Sequence, residues 1–377
     1  MSIFIETLSL GGKRDDSPTI AIKDTIDIAG HATRGASAAL ADAPPAERHA
    51  HAVQRLLDTG WRIVGKANMH ELAFGMTGIN DYTGTPGNPQ DPTRIPGGSS
   101  SGSAAAVGFG LAHAALGTDT GGSIRGPAAC CGVIGLKPTF GRVSRDGVAP
   151  TESTLDCVGP FAREMRTLVA VMEAIAPAFD RDRAQAADHG LRIGIATVPA
   201  RADIAAAVAA AVERAGNRTL PVELMRLGEA FDAGLAVINA ETSRAFGHLV
   251  GTGKLGADLE ARLRAAAATP NESLAAAERV RRAFTDEVDR LLERTDLLVM
   301  PTLPDFPITV EQARGGCSVI AMSSLIRPFN LSGHPALSLP VPVAGTTLKA
   351  GLQIVGRHGD DERVCAFAAQ LEQVLAH

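Results

Sequence analysis

Two glycine-framed serine clusters and three lysines in apolar surroundings are the residues of this chain that could do chemistry unaided. The first cluster runs Gly97-Gly98-Ser99-Ser100-Ser101-Gly102-Ser103. The second, "GTDTGGSIRGPAACCG", sets Ser123 directly after Gly121 and Gly122, 24 residues beyond Ser99. A glycine turn lets backbone N–H groups converge beside a hydroxyl, and each N–H aimed at a developing oxyanion is worth roughly 3–4 kcal/mol. Ser123 is therefore a candidate nucleophile. The plainer alternative for the first cluster is that its serines only cap a helix. A serine nucleophile also needs a base. No local pattern supplies a histidine. Lys23 lies within "TIAIKDTIDI", where a cation is costly and desolvation lowers its pKa. A drop of roughly 3 from the usual value near 10.4 would make it a usable base at neutral pH. An edge-strand lysine reaching out to water is the competing reading. Lys66 and Lys137 have equally apolar neighbours, so chemistry alone does not choose among the three.

Other catalytic templates fail. Gly98-Ser99-Ser100-Ser101-Gly102 matches G-x-S-x-G, but that nucleophile elbow follows a strand. The preceding "NPQDPTRIPG" holds three prolines and is no central strand. There is no G-x-x-x-x-G-K-[ST], no strand-borne G-x-G-x-x-G and no H-E-x-x-H, so nucleotide and metal sites have no support. The ten histidines are scattered, and His49 and His51 would fall on different helix faces. No metal and no cofactor are expected.

The elements that position these residues read as follows. "TIAIKDTIDI" alternates Ile at each end, as strands do. "AERHAHAVQRLLDTG" is a helix stopped by Gly60, and "WRIVGKANM" a short buried strand. Residues 77–98 are dense in Gly, Pro, Asn and Asp, a long loop of the kind that often carries function. "SSSGSAAAVGFGLAHAA" reads as a serine-capped helix of small residues. Residues 163–175 are helical, "LRIGIAT" is a strand, and 201–293 are helical and Ala-rich. "DLLVMPT", "ALSLPVPV" and "LKAGLQIVG" are strands, and 360–376 is a closing helix. Alternating strands and helices indicate an α/β fold around a buried sheet.

The chain has 377 residues, 45% hydrophobic and 20% charged, with a net charge of −5 and no basic run. With one Trp and one Tyr, it has neither the charge nor the stacking surface for nucleic acid. No apolar stretch approaches the roughly 20 residues of a membrane span, and "MSIFIETLSLGGKRDD" lacks a signal peptide's basic and apolar regions. Five cysteines without C-x-x-C spacing read as reduced, buried cytoplasmic thiols.

Five blocks resemble the amidase signature family: "IAIKD" (20–24), "VGKANMHELAFG" (64–75), "PGGSSSGSAAAVGFG" (96–110), "LGTDTGGSIRGPAACCGVIGLKPTFGRVS" (116–144) and "FNLSGHPALSLPV...GLQIVG" (329–356). The resemblance implies one α/β domain over 1–377, a mixed twisted sheet covered by helices on both faces. It divides into a signature core (20–160), a helical, pocket-shaping lobe (163–293) and a C-terminal sheet and helix (294–377). It implies Ser123 as nucleophile, Ser99 as a bridging serine after a cis Gly98–Ser99 bond, and Lys23 as base. Lys66 matches a non-catalytic position. The implied oxyanion donors are the N–H groups of Thr120, Gly121, Gly122 and Ser123. Ser100 and Arg125 would brace the loop or meet the substrate, with bracing favoured for Arg125. Three departures stand out: Ser101 replaces a usual glycine, the stretch ahead of "IKD" is short, and so is the region between the signature and the C-terminal blocks.

The implied activity is hydrolysis of a small carboxamide or ureido-type amide through an acyl-enzyme, releasing ammonia or an amine. The implied partner is that small amide, and a homodimer is compatible with it. An amidotransferase-type subunit fed with ammonia by partner chains, and a non-catalytic binding homologue, are the alternatives.

Overall fold

The computed structural model describes residues 2–186 and 190–376. The chain opens with a strand that the motifs did not announce, β1 (Phe4–Gly11), in which exposed Thr7 and Ser9 alternate with half-buried Leu8 and Leu10. β2 (Thr19–Lys23) is shorter than the "TIAIKDTIDI" alternation suggested. Its strand stops at Lys23, where Ile26 N–H turns back to the Lys23 carbonyl. Ile26 and Ile28 stay fully buried, in isolated bridges. α1 (His51–Asp58) starts later than its sequence pattern, and Gly60 beyond it takes a left-handed φ of 88°. β3 (Arg62–Ala67) follows.

After the long loop comes α2 (Ser101–Gly108), only eight residues. The "LAHAA" expected to prolong it instead leads into β4 (Ala114–Asp119). α3 (Arg125–Cys131) and β5 (Ile134–Lys137) complete the signature stretch. β6 (Cys157–Ala162) was missed in the sequence because Gly159-Pro160 interrupts its pattern. α4 (Met165–Ile175), α5 (Arg181–Gln185), β7 (Arg192–Ala196) and α6 (Ala202–Arg214) follow. Residues 163–293 are not wholly helical: β7 and β8 (Arg218–Val222) join the sheet, and Pro221 is tolerated because β8 is its edge. Three long helices, α7 (Leu227–Phe246), α8 (Ala257–Ala267) and α9 (Asn271–Arg294), precede β9 (Leu297–Pro301). α10 (Val310–Arg314), α11 (Pro328–Leu331), the hairpin β10 (Ala336–Pro342) and β11 (Lys349–Val355), and α12 (Asp361–Leu375) end the fold.

One eleven-stranded sheet orders these strands β1-β3-β2-β4-β6-β5-β10-β11-β9-β7-β8. It is mixed: β3, β2 and β4 run parallel, as do β9, β7 and β8, and the pairs from β4 through β6, β5, β10 and β11 to β9 are antiparallel. The two-residue strand period sorts side chains between its faces. Ile20 and Ile22 of β2, and Leu297 and Val299 of β9, pack with α1, α4, α6 and α12. Ala21 packs with α2 and α3 on the opposite face, and Leu298 and Met300 pack there with α7 and α9. Ile20 and Ile22 are fully buried, each worth roughly 1.5–3 kcal/mol. The sheet is thus covered by helices on both sides, as an α/β fold requires.

Four cysteines are buried and free, but Cys317 is exposed, so the expectation that all five would be buried fails for that one. Among the described residues no helix is long and apolar enough to cross a membrane.

Candidate active site

Lys23 ends β2 on the face of Ala21, since residues two apart share a face. β4 is the parallel neighbour in which Leu116 pairs with Ile22. Both strands therefore deliver their carboxyl ends, Lys23 and Thr118-Asp119, to one place. Lys23 has no exposed surface. Its Nζ lies 2.7 Å from Ser99 Oγ and 2.8 Å from Thr118 Oγ1. Burial lowers its pKa from 10.5 to about 7, against the opposing pull of Asp156 and Asp119. The edge-strand alternative is excluded: β2 lies between β3 and β4.

Lys66 and Lys137 are separated from this chemistry by their partners. Lys66 pairs with Asp24 at 2.9 Å and donates to the Ala32 carbonyl. Lys137 donates to the Pro138 carbonyl at 2.9 Å, with Cys157 Sγ 4.0 Å away. Burial lowers the Lys137 pKa too, but among the described residues no serine is bonded to it.

The serine cluster does more than cap a helix. Ser100 occupies the N-cap position of α2 and makes no side-chain cap bond. Its hydroxyl instead donates to the Thr118 carbonyl at 3.2 Å, and Ser103 donates to the Leu116 carbonyl at 2.9 Å. These two bonds clamp α2 onto β4. The approach is close because small residues meet there: a Cβ at Gly117 of β4 would stand 2.8 Å from Ser100 Oγ, and one at Gly102 would stand 2.4 Å from the carbonyl oxygen of Asn68, just past β3. The Gly98–Ser99 peptide is cis. Ser101 replaces the usual glycine without a positive φ, as the first residue of α2.

Ser123 sits in the turn between β4 and α3. Its carbonyl accepts from Ser100 N–H at 3.3 Å, which joins the two serine clusters directly. Among the described residues its hydroxyl has no hydrogen-bond partner, and it lines a cavity of about 1100 Å³. The turn is organised by Asp119, a residue without a role in the sequence reading. Its carboxylate accepts from Gly122 and Ile124 N–H, the Asn330 amide and the Arg125 guanidinium. Burial opposes ionisation of Asp119, but Arg125 and Asn330 outweigh it and hold the carboxyl well below the usual range. Gly122 N–H is thus engaged at 2.8 Å by Asp119 and is not a free donor, unlike the sequence expectation. Among the described residues the N–H groups of Gly121 and Ser123 have no internal acceptor. Thr120 donates its hydroxyl to Asp156. Gly122 has a φ of 114°, and a Cβ there would meet Ile326 Cδ1 at 2.1 Å.

Arg125 is fully buried and every N–H of its guanidinium is engaged. Nε and Nη2 hold the two Asp119 oxygens at 3.0 Å each. Nη1 donates to the Ile326 carbonyl and Gln353, and Nη2 also to Asn330. No donor is left for a substrate carboxylate. Asn330 and Gln353 were not singled out by the sequence, although Asn330 stands in "FNLSGHP".

The cavity over Ser123 is walled by the Glu71–Tyr82 stretch, the 253–262 region including the start of α8, residues of α7 such as Ile238, and the 313–320 loop. His70 also lines it; burial lowers its pKa to about 4, so it is neutral at physiological pH. Away from this wall, Asp289 Oδ1 stands 3.0 Å from His334 Nε2 and 3.8 Å from His358 Nδ1. Among the described residues these three form the one group able to hold a metal. Their sequence separation hid them, and none touches the cavity.

A sequence model of the Amidase family matches residues 19–365. The chain is 35% identical to a glutamyl-tRNA(Gln) amidotransferase subunit of Methanospirillum hungatei, over 94% of this chain and 92% of that protein. The crystal structure of the subunit of the same name from Thermotoga maritima is similar with a TM-score of 0.82 and 28% identity, covering 98% of this chain and 88% of its own. The allophanate hydrolase of Kluyveromyces lactis is similar with a TM-score of 0.86 and 27% identity, covering 95% of this chain and 62% of that one.

Proposed function

The chain belongs to the Amidase family and is an amide-hydrolysing enzyme, and from that premise we propose that it cleaves the C–N bond of a small carboxamide or ureido-type amide at Ser123. The observation that carries the reading is the environment of Lys23: a fully buried amine without an ion pair among the described residues, 2.7 Å from Ser99 Oγ, with a pKa lowered by burial to about 7.

In the proposed cycle, neutral Lys23 accepts the Ser99 hydroxyl proton, and Ser99 accepts that of Ser123. Ser123 Oγ forms a bond to the amide carbonyl carbon. The oxyanion is met by the free N–H groups of Gly121 and Ser123, with Thr120 beside them. The relay returns its proton to the leaving nitrogen, the C–N bond breaks, and ammonia or an amine departs. Water, deprotonated by the same relay, attacks the acyl-enzyme and frees a carboxylic acid and Ser123. A lowered pKa serves this because a base is most effective when its pKa lies near the working pH. Ser100 acts through the clamp on β4, and Arg125 through the Asp119 turn.

The test is ammonia release from a panel of small amides together with labelling by a fluorophosphonate probe. Labelling at Ser123 and turnover that vanishes in a folded Ser123→Ala variant are the expected results. Failure of both would leave the non-catalytic reading. The second reading, membership of an amidotransferase complex, is favoured by the name and coverage of the 35% identical relative. Co-purification with partner chains, and amide turnover that depends on them, would select it. The free thiols fit a reducing, cytoplasmic setting for either reading.

A further inference from the structure

Among the described residues four cationic side chains line the cavity over Ser123: Lys254, Arg262, Arg314 and Arg327. Three have carboxylate partners: Lys254 with Asp42 at 3.4 Å, Arg262 with Asp258 at 3.0 Å, and Arg314 with Asp81 at 2.9 Å. Arg327 has none among the described residues, and it is the most buried of the four, at 6% exposure. Its Nη2 donates to Ser323 Oγ at 2.7 Å and its Nη1 reaches the Phe231 carbonyl at 3.4 Å. The guanidinium carbon stands 4.2 Å from the centre of the Phe231 ring. Its Nε is buried without a hydrogen-bond partner. Asp232, the carboxylate that acts on it from a distance, makes no ion pair with it.

The placement is specific. Gly234 makes room for the side chain, since a Cβ there would stand 2.9 Å from Arg327 Cγ, and Gly121 lies in ordinary contact range, where a Cβ would stand 3.7 Å from Nε. Gly121 belongs to the turn that ends in Ser123. Ile326, the preceding residue, packs on Gly122 and accepts from Arg125. Arg327 is therefore held against the turn whose N–H groups would face the scissile carbonyl. A buried cation without a counter-ion is unfavourable, and the fork of a guanidinium matches a carboxylate. Burial lowers the Arg327 pKa to about 10, which leaves it charged at neutral pH.

We propose that Arg327 is an anion subsite, and that the amides this enzyme takes carry a carboxylate a few bonds from the scissile carbonyl. The inference rests on the reading of the Ser123 turn as the acyl-transfer site. It transfers to Arg327 the role in which Arg125 was considered, since all five Arg125 donors are already engaged.

The test compares malonamate, succinamate and glutaramate with their neutral diamides, malonamide, succinamide and glutaramide, by ammonia release. The wild type is expected to favour the anionic member at one chain length. Arg327→Met is expected to lower that preference roughly ten- to a hundredfold, the usual worth of a hydrogen bond to a charged group. The loss should lie chiefly in KM, and Arg327→Lys should recover part of it. Equal loss on both members, or a wild-type preference that survives Arg327→Met, would overturn the proposal. Should Arg327→Met not fold, Arg327→Lys carries the comparison, because it keeps the charge and loses the fork. Calorimetric binding of the same anions to Ser123→Ala, with and without the Arg327 change, separates the two readings. Arg327-dependent binding without any turnover would sustain the anion subsite while removing the hydrolase reading. Absence of Arg327-dependent binding would remove the subsite.

Discussion

Replacing Lys23 with methionine tests the proposed base through two measurements with opposite signs. The drop in pKa from 10.5 to about 7 corresponds to about 5 kcal/mol, at about 1.4 kcal/mol per decade. At pH 7.4 a lysine with a pKa near 7 is about 70% neutral, whereas one near 10.5 is neutral in about one part in a thousand. The wild-type kcat/KM for an amide should therefore climb tenfold per pH unit below about 7 and level off above it. Lys23→Met should lower kcat/KM by roughly 10²–10⁴ and abolish that limb. His70 cannot produce a limb near 7, because its own pKa is lowered to about 4.

Stability moves the other way. Between the folded pKa near 7 and the unfolded value, the unfolded chain binds the extra proton, so the Lys23 contribution improves as pH rises across that window. Below it the burial cost is fully present. Urea unfolding should show Lys23→Met gaining on the wild type at pH 6, with the gain shrinking by roughly 4 kcal/mol by pH 10. A limb that persists in the variant, or a stability difference that does not change with pH, would refute the assignment.

Three further outcomes are expected. Asp119→Asn leaves Arg125 buried with its charge unpaired and should cost about 3–5 kcal/mol in chemical denaturation; a loss below about 1 kcal/mol would show that Asp119 does not organise the turn. Gly122→Ala places a side chain at a φ of 114° against Ile326, so it should cost roughly 1–3 kcal/mol and lower kcat more than it raises KM, as steady-state kinetics and thermal unfolding would report. Cys317 is exposed and lines the cavity, whereas burial raises the thiol pKa of Cys130 to about 12 and of Cys157 to about 11. A chromogenic disulfide should titrate one thiol in the native protein and reduce activity as it does so; reaction of several thiols at similar rates would contradict this burial pattern.

The local pattern was enough to place β2, β3, α4 and the hairpin of β10 and β11, because apolar periodicity and glycine stops are properties of short segments. It did not reveal β6 or β8, where proline breaks the pattern but the sheet supplies the pairing. It overextended α2 for a related reason: "LAHAA" has helix-forming composition, yet Ala114 is drawn into β4 by its partners on both sides. The site divides in the same way. The glycine-framed serines and the resemblance they carry drew attention to Lys23, Ser99 and Ser123, since a turn rich in N–H groups is written in consecutive residues. Among Lys23, Lys66 and Lys137 the residues alone could not discriminate, because all three are buried and what separates them is contact: Asp24 neutralises Lys66, while Lys23 donates to the hydroxyls of Ser99 and Thr118. Asp119, Asn330, Gln353 and Arg327 come from segments up to 234 positions apart (Asp119 to Gln353), and only folding brings them around one turn. Chain-local chemistry thus announced a nucleophile and its turn. The pKa of the base, the saturation of Arg125 and the lack of a carboxylate partner for Arg327 among the described residues depend on burial and on contacts remote in the chain, so the tertiary structure alone decided them.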